Sequence, residues 1–473
     1  MVFSSFMFLF VFLPVVMFVY QVVPARFRNH VLLAGSLFFY AWGGPRYLLL
    51  IAGEALVSWI CALVIGSSES QTRKRVALVI ECVVLLGLLG YFKYTGFFLG
   101  NLHALFGVPK EVFAPILPIG ISFYTFQLLS YVADVYRGEV EPQRAYWKLL
   151  LYCALFHQCI AGPIVRYKTV AHEIDERHAT ASDVYAGVRR FCVGLGKKVI
   201  LANACATVAD SLVPAGTGNL VPQPFAGWWL GMIFYTLQIY LDFSAYSDMA
   251  IGLGRMVGFH YLENFDHPYE AVSVQDFWRR WHISLSSFFR DYVYIPLGGS
   301  RCSTSQYIRN MAVVWLLTGF WHGASWNYIL WGVYYLGLLL LEKFVLANRM
   351  PKPLSRVYTL VMVTLGWVLF RFENFSEMAR AFGGMFGIGA TGFTSLAVHT
   401  AFLQNVVLLV VSIVACTGLG SWLRRQLSKR ARSNDGMLMV YNIEELAVPI
   451  VLIIVSTIAL AGASYNPFIY FQF

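Results

Sequence analysis

The chain has 473 residues, of which 58% are hydrophobic and only 13% charged, with a mean hydropathy of +0.62. Soluble domains carry about 25% charged residues, so this composition excludes an ordinary soluble enzyme and predicts an all-α, polytopic integral membrane protein. The net charge of +10 reads as loop cations held in the cytoplasm, not as a nucleic-acid surface, since no basic groove interleaved with aromatics accompanies it.

A membrane β-barrel would show alternating segments of ~10 residues; here long uncharged runs recur instead. At the usual span length there is room for roughly ten to thirteen transmembrane or re-entrant helices. We read residues 1–473 as a single membrane domain. The first run, Met1–Val22, has no basic residue before it, and Arg26 and Arg28 follow it. That order predicts an uncleaved span with its N-terminus outside. Val31–Trp42, which is short, and Tyr47–Ile65 then return the chain to the side that holds Arg73, Lys74 and Arg75.

Further spans are expected near Val76–Tyr91, Ile116–Val135, Trp147–Cys159, Phe191–Val208, Trp228–Phe243 and Tyr358–Phe370. Near the end of the Trp228–Phe243 span, Asp242 and Asp248 are candidates for helix caps, for partners of buried arginines, or for catalysis. Near the end, Phe402–Trp422 and Ile443–Leu460 flank a loop with Arg424, Arg425, Lys429, Arg430 and Arg432. Such a cluster suits the anionic cytoplasmic face of a membrane, making lipid an expected partner. The eight cysteines form no CxxC pair and no Cys/His metal spacing. They read as small apolar residues, with no metal site and no bound cofactor expected.

Two segments carry chemistry. Gln275–Tyr292 is too charged to span lipid. On a wheel of ~100° per residue, Phe277, Trp278, Trp281, Leu285, Phe288, Phe289 and Tyr292 share one arc. Gln275, Arg279, His282, Ser286 and Arg290 form a polar stripe beside it, and Asp276 and Arg280 are spaced for an i,i+4 ion pair. This predicts an amphipathic interfacial helix. Ile283 is the misfit on its polar side. A histidine, two arginines, a serine and a glutamine aligned beside aromatics suit an anionic or carbohydrate-like ligand.

The second segment is Trp321-His322-Gly323-Ala324-Ser325-Trp326-Asn327, between the apolar runs Met311–Phe320 and Tyr328–Leu341. Together these exceed one span, so His322 sits at a break between two helices or in a kinked one. Ionisable groups at membrane depth face a bundle interior or an aqueous cavity, and an imidazole there can accept a proton near neutral pH. Gly194–Lys198 lacks the first glycine and the Ser/Thr of a phosphate loop, and no HExxH or GxSxG segment occurs. A histidine base without metal or internal nucleophile survives these exclusions.

Trp278-Arg279-Arg280-Trp281-His282, followed by a Trp-His-Gly with Trp-Asn close behind, resembles the membrane-bound O-acyltransferases. Val2–Ser5, IGISFYTFQ, IAGPIVRY, LDFSAYSDMAIG and the ending Asn466–Phe473 are similar to the bacterial branch that includes the membrane protein of alginate O-acetylation. Phe156-His157-Gln158-Cys159 departs from that pattern, which is more apolar there, with Pro before Gln.

The resemblance implies a helical membrane fold in which His322 is the essential histidine and His282 a second one. His322 then serves as general base toward an acceptor hydroxyl. Trp321, Trp326, Asn327 or the Gly323 N–H are candidate oxyanion donors. Trp278, Arg279, Ser286 and Arg290 are candidate substrate-binding residues. Expected on this basis are acetyl-CoA as donor, an exopolysaccharide such as alginate as final acceptor, and a bacterial inner-membrane location. Periplasmic acetyl-transfer proteins and a polysaccharide synthase are the expected partners. The alternatives are another acyl group or acceptor, such as D-alanyl transfer to teichoic acid or acylation of a lipid, and a non-enzymatic transporter.

Overall fold

Apolar runs of this length have one way to satisfy their backbone in lipid. With no water to receive N–H and C=O groups, each must bond within its own helix. The structure, a computed structural model, describes residues 1–107, 115–160, 162–216, 218, 220–346 and 350–462, and every regular element among them is helical. The ending Asn466–Phe473 and Ala161 lie outside the described residues. Seven described helices are long and apolar enough to cross a membrane, the first being Pro45–Ser67 and the last Asp435–Gly462. Leu396–Ala415 shows why they belong in lipid: it is apolar nearly throughout, yet only Val398 and Ser412 are buried. The protein is a multi-pass helical membrane protein.

Other expected spans take shorter forms. Val31–Trp42 falls in the 14-residue helix Arg28–Ala41, and Trp147–Cys159 in the nine-residue helix Tyr146–Ala154. The latter is buried from Leu149 onward, so its apolar side chains pack against protein instead of lipid. The basic segment after Leu396–Ala415 is not an open loop. It forms the helix Leu419–Ala431, where Arg424 donates to Glu445 Oε1 at 2.6 Å.

The chain divides into two compact units, Met1–Phe191 with Ser247–Glu263, and Cys192–Tyr246 with Asn264–Phe473. In the first, Phe8, Phe12, Phe39 and Phe156 cluster with ring centroids 5.3–6.3 Å apart. Glu54 and Glu81 are buried on Leu48–Ser67 and Gln71–Phe106. Thr125 Oγ1 donates to Glu54 at 3.1 Å and Ser58 Oγ to Glu81 at 2.6 Å. The divergent His157 is buried too, with its Nδ1 2.9 Å from the Tyr261 hydroxyl. Asp248 pairs with Arg190 at 2.9 Å, whereas Asp242, in the second unit, pairs with a lysine, Lys198, at 2.7 Å.

The second unit is built around a helical hairpin, Thr304–His322 and Trp326–Leu341. Glycine lets its arms touch. A Cβ on Gly319 would lie 2.3 Å from the Tyr328 carbonyl oxygen, and one on Gly332 2.4 Å from that of Trp315. Small residues at such crossings allow backbones to approach, as in membrane helix pairs generally. Against the hairpin lies Lys352–Arg371, tied by Asn327 Nδ2, which donates to the Leu369 carbonyl at 3.1 Å. Trp278, Trp281, Trp331, Tyr335, Trp367 and Phe370 fill the space between these helices.

Candidate active site

The expected amphipathic helix is broken. Val274–Arg280 and Ile283–Phe289 are separate helices, joined at Trp281 and His282, and Arg290–Tyr294 continues in a wider coil. The first has a clear start: Ser273 Oγ accepts from Asp276 N at 2.9 Å, and Glu342 accepts from Val274 N at 2.7 Å and Gln275 N at 3.0 Å. The Asp276–Arg280 ion pair is present at 3.0 Å. Then the chain turns, because His282 adopts φ 45° and ψ 55°, in the left-handed region. His267 and His282 are the non-glycine residues with positive φ among those described. Such a conformation costs an L-residue on the order of 1–2 kcal/mol and persists only where surrounding contacts fix it.

Those contacts come from Asn264. Its carbonyl accepts from Ile283 N at 2.9 Å. Its side-chain Oδ1 accepts from Ser284 N at 3.1 Å and Ser284 Oγ at 2.8 Å, and lies 3.2 Å from His282 Nδ1. This accounts for Ile283 as a misfit on the wheel: it follows a change of direction and bonds outside the helix. Asn264 and His282 share no helix, so helical periodicity carried no signal for their contact.

Despite the break, the stripe stays together. Gln275, Arg279, His282, Ser286 and Arg290 all line one cavity of about 720 Å³, and so do Trp278 and His322. The volume is that of a pocket for a small-molecule substrate. Its outer wall is polar, since Gln275, Arg279, Ser286 and Arg290 are exposed. Lys343 and Glu342 also contribute, with Lys343 Nζ 3.2 Å from the Tyr307 ring centroid. At the buried end are Trp278, Trp315, Thr318 and the two histidines, His282 being 1% exposed and His322 7%. His322 ends its helix, and its ring meets Trp331 at 5.0 Å and Phe370 at 5.3 Å, both edge-on. Gly323 follows it because Tyr328 closes over the turn: a Cβ there would lie 2.2 Å from that ring.

Three candidates take other places. Among the described residues, the cavity wall does not include Trp321, Trp326 or Asn327. Trp321 is buried between the histidines, with ring centroids 5.7 Å from His282 and 5.1 Å from His322. Trp326 is 49% exposed, on the outer side of its helix. The Asn327 amide faces the end of Lys352–Arg371, so its N–H groups serve carbonyls of that helix, not an oxyanion. Burial drives the His282 imidazole down to about 3, so it is neutral at physiological pH. Its Nε2 has no hydrogen-bond partner among the described residues, and neither does the Trp278 indole N–H.

Two buried histidines sharing a substrate-sized cavity with a cationic rim can exchange protons with a bound hydroxyl. The profile of the membrane-bound O-acyltransferase family matches residues 142–372, which includes the broken helix, the cavity's main wall and both histidines. A protein of Azotobacter vinelandii named "Probable alginate O-acetylase AlgI" is 38% identical over the full length of both chains. The chain belongs to the membrane-bound O-acyltransferase family. Within it, the chain is also similar to the peptidoglycan O-acetyltransferase of Helicobacter pylori, 33% identical over 86% of this chain and 84% of that one. Similarity to the teichoic acid D-alanyltransferase of Bacillus subtilis is more restricted, 31% over 54% of this chain and 68% of the other. The protein is thus a multi-pass membrane acyltransferase, and the stretch that matches the family includes a cavity lined by two buried histidines.

Proposed function

We propose that this protein is the membrane component of exopolysaccharide O-acetylation, that it resides in the cytoplasmic membrane, and that His322 is its catalytic base. The observation that carries this reading is the cavity holding His322 and His282 at its buried end. Full-length similarity to an alginate O-acetylase favours acetyl transfer to an exopolysaccharide over D-alanyl transfer, for which similarity covers about half the chain.

In this reading the donor is a cytoplasmic thioester, acetyl-CoA. Arg279, Arg290 and Lys343 at the rim suit its phosphates, and cationic loops belong on the cytoplasmic side. His322 accepts the proton of an acceptor hydroxyl as the hydroxyl oxygen bonds to the thioester carbonyl carbon. The tetrahedral oxyanion collapses, the C–S bond breaks, and the thiolate leaves with a proton. The Trp278 indole N–H, buried in the cavity wall with no hydrogen-bond partner among the described residues, replaces Asn327 as candidate donor to that oxyanion. In this reading the acceptor hydroxyl belongs to a periplasmic transfer protein, which leaves with the acetyl ester and hands it on to a hydroxyl of the polymer beside the polysaccharide synthase.

The test is His322→Ala. A general base contributes about 10²–10⁴-fold, so polymer-bound acetate falls to background while membrane levels of the protein hold. Near-normal acetylation at normal expression refutes the assignment.

A further inference from the structure

The Asn264 side chain meets a backbone N–H, a hydroxyl and an imidazole nitrogen at a single atom. The Ser284 N–H can only donate, so the Asn264 atom 3.1 Å from it is the oxygen and not the amide nitrogen. His282 Nδ1 lies 3.2 Å from that same oxygen. An oxygen accepts, so Nδ1 carries the ring proton there. We propose that Asn264 is a positioning residue that fixes the tautomer of His282, leaving Nε2 unprotonated as an acceptor within the cavity wall.

Three observations support this. Nε2 is buried and has no hydrogen-bond partner among the described residues, and the other neighbour of Nδ1, Ser284 Oγ at 3.4 Å, directs its own proton to Asn264 Oδ1 at 2.8 Å and so can only accept from the ring. Asn264 is itself fully buried, and its carbonyl holds Ile283 N at 2.9 Å. One residue therefore fixes both the left-handed backbone of His282 and the proton on its ring. A partner on one imidazole nitrogen sets what the other can do. With Nδ1 protonated, Nε2 accepts a hydrogen bond from an O–H placed in the cavity, orienting the hydroxyl whose proton goes to His322. That last step rests on the acyl-transfer reading; the tautomer does not.

The experiment is ¹⁵N NMR of the full-length protein, ring-labelled at histidine, in lipid nanodiscs. The His282 signals are identified by their loss in His282→Ala. The expected result is a protonated Nδ1 and a bare Nε2. In Asn264→Asp the acceptor oxygen stays but gains charge, and a carboxylate this close raises a histidine's titration midpoint by about 1–3 pH units. Arg279, Arg290, Lys343, Glu342, Tyr294, Tyr307 and His322 share the cavity and are common to both proteins, so the difference isolates Asn264. A proton on Nε2 instead of Nδ1 overturns the proposal, as does an unchanged midpoint in a folded Asn264→Asp protein. Activity is read separately. A fully active His282→Ala protein with the expected tautomer in the wild type overturns the catalytic reading of His282 and leaves the positioning by Asn264 standing.

Discussion

Adjacent arginines on one helix offer a controlled perturbation. Arg279 lines the cavity, whereas Arg280 does not and holds Asp276 at 3.0 Å. The Arg280 pair is an i,i+4 surface interaction with side chains 31% and 24% exposed. Such pairs stabilise a helix by about 0.3–0.5 kcal/mol, so Arg280→Ala costs little stability and no donor affinity. Arg279 is exposed at the rim, where the proposed reading places the phosphates of the donor. A charge pair at ~4 Å gains about 1 kcal/mol in water and about 4 at an effective dielectric of 20. Exposure places Arg279 near the lower bound, which corresponds to a loss of roughly 5–10-fold in donor affinity. The assay is acyl transfer by reconstituted protein across a range of acetyl-CoA concentrations. Arg279→Ala raises KM for the donor, more at low salt than at high salt, with kcat little changed. Arg280→Ala matches wild type. Equal losses in both variants, accompanied by lower protein levels, refute the cavity argument and make the broken helix a plain anchor.

Three further outcomes follow from the same geometry. Burial lowers His282 to about 3 from an ordinary value near 6.5, so the folded state favours the neutral ring. The stability this confers is complete above about 6.5 and lost as pH falls toward 3, amounting to about 2 kcal/mol between pH 7 and pH 5. Thermal unfolding in detergent drops over that interval, and His282→Asn removes that part of the slope; an identical slope in the variant contradicts it. Gly332→Val drives a side chain into the Trp315 carbonyl and destabilises the hairpin by about 1–3 kcal/mol, whereas Gly337→Ala, with nothing within 4 Å, is neutral or mildly stabilising. Equal melting temperatures for the two would refute the close crossing. Reconstituted alone with radiolabelled acetyl-CoA and long polymer, the protein transfers little label to polymer until periplasmic partners are added; efficient modification without them ends the relay model but not the acyltransferase assignment.

Much of the site was legible because a polar residue in an apolar chain is costly and so informative. His322 between two apolar runs, and the stripe from Gln275 to Arg290, stand out on that ground, and they line one cavity. Asn327 and Trp326 looked equivalent to His322 because they share its short segment. Side-chain direction separates them: after Gly323 the chain enters a new helix, and Asn327 turns toward the carbonyls of Lys352–Arg371. Asn264 was invisible because it lies 18 positions before His282 across a chain that is not one helix, so no helix face carries both.

Composition and hydropathy alone determined that this chain is helical and embedded in a membrane, since lipid accepts no unpaired backbone and few charges. The motifs pointed to the family and singled out two histidines that the structure brings to one cavity. Tertiary structure alone decided that the amphipathic segment breaks at His282, because the left-handed backbone there is held by contacts from Asn264. It also decided which polar side chains share a cavity and which tie helices together. Periodicity describes one helix face at a time, whereas a cavity forms where faces of several helices meet.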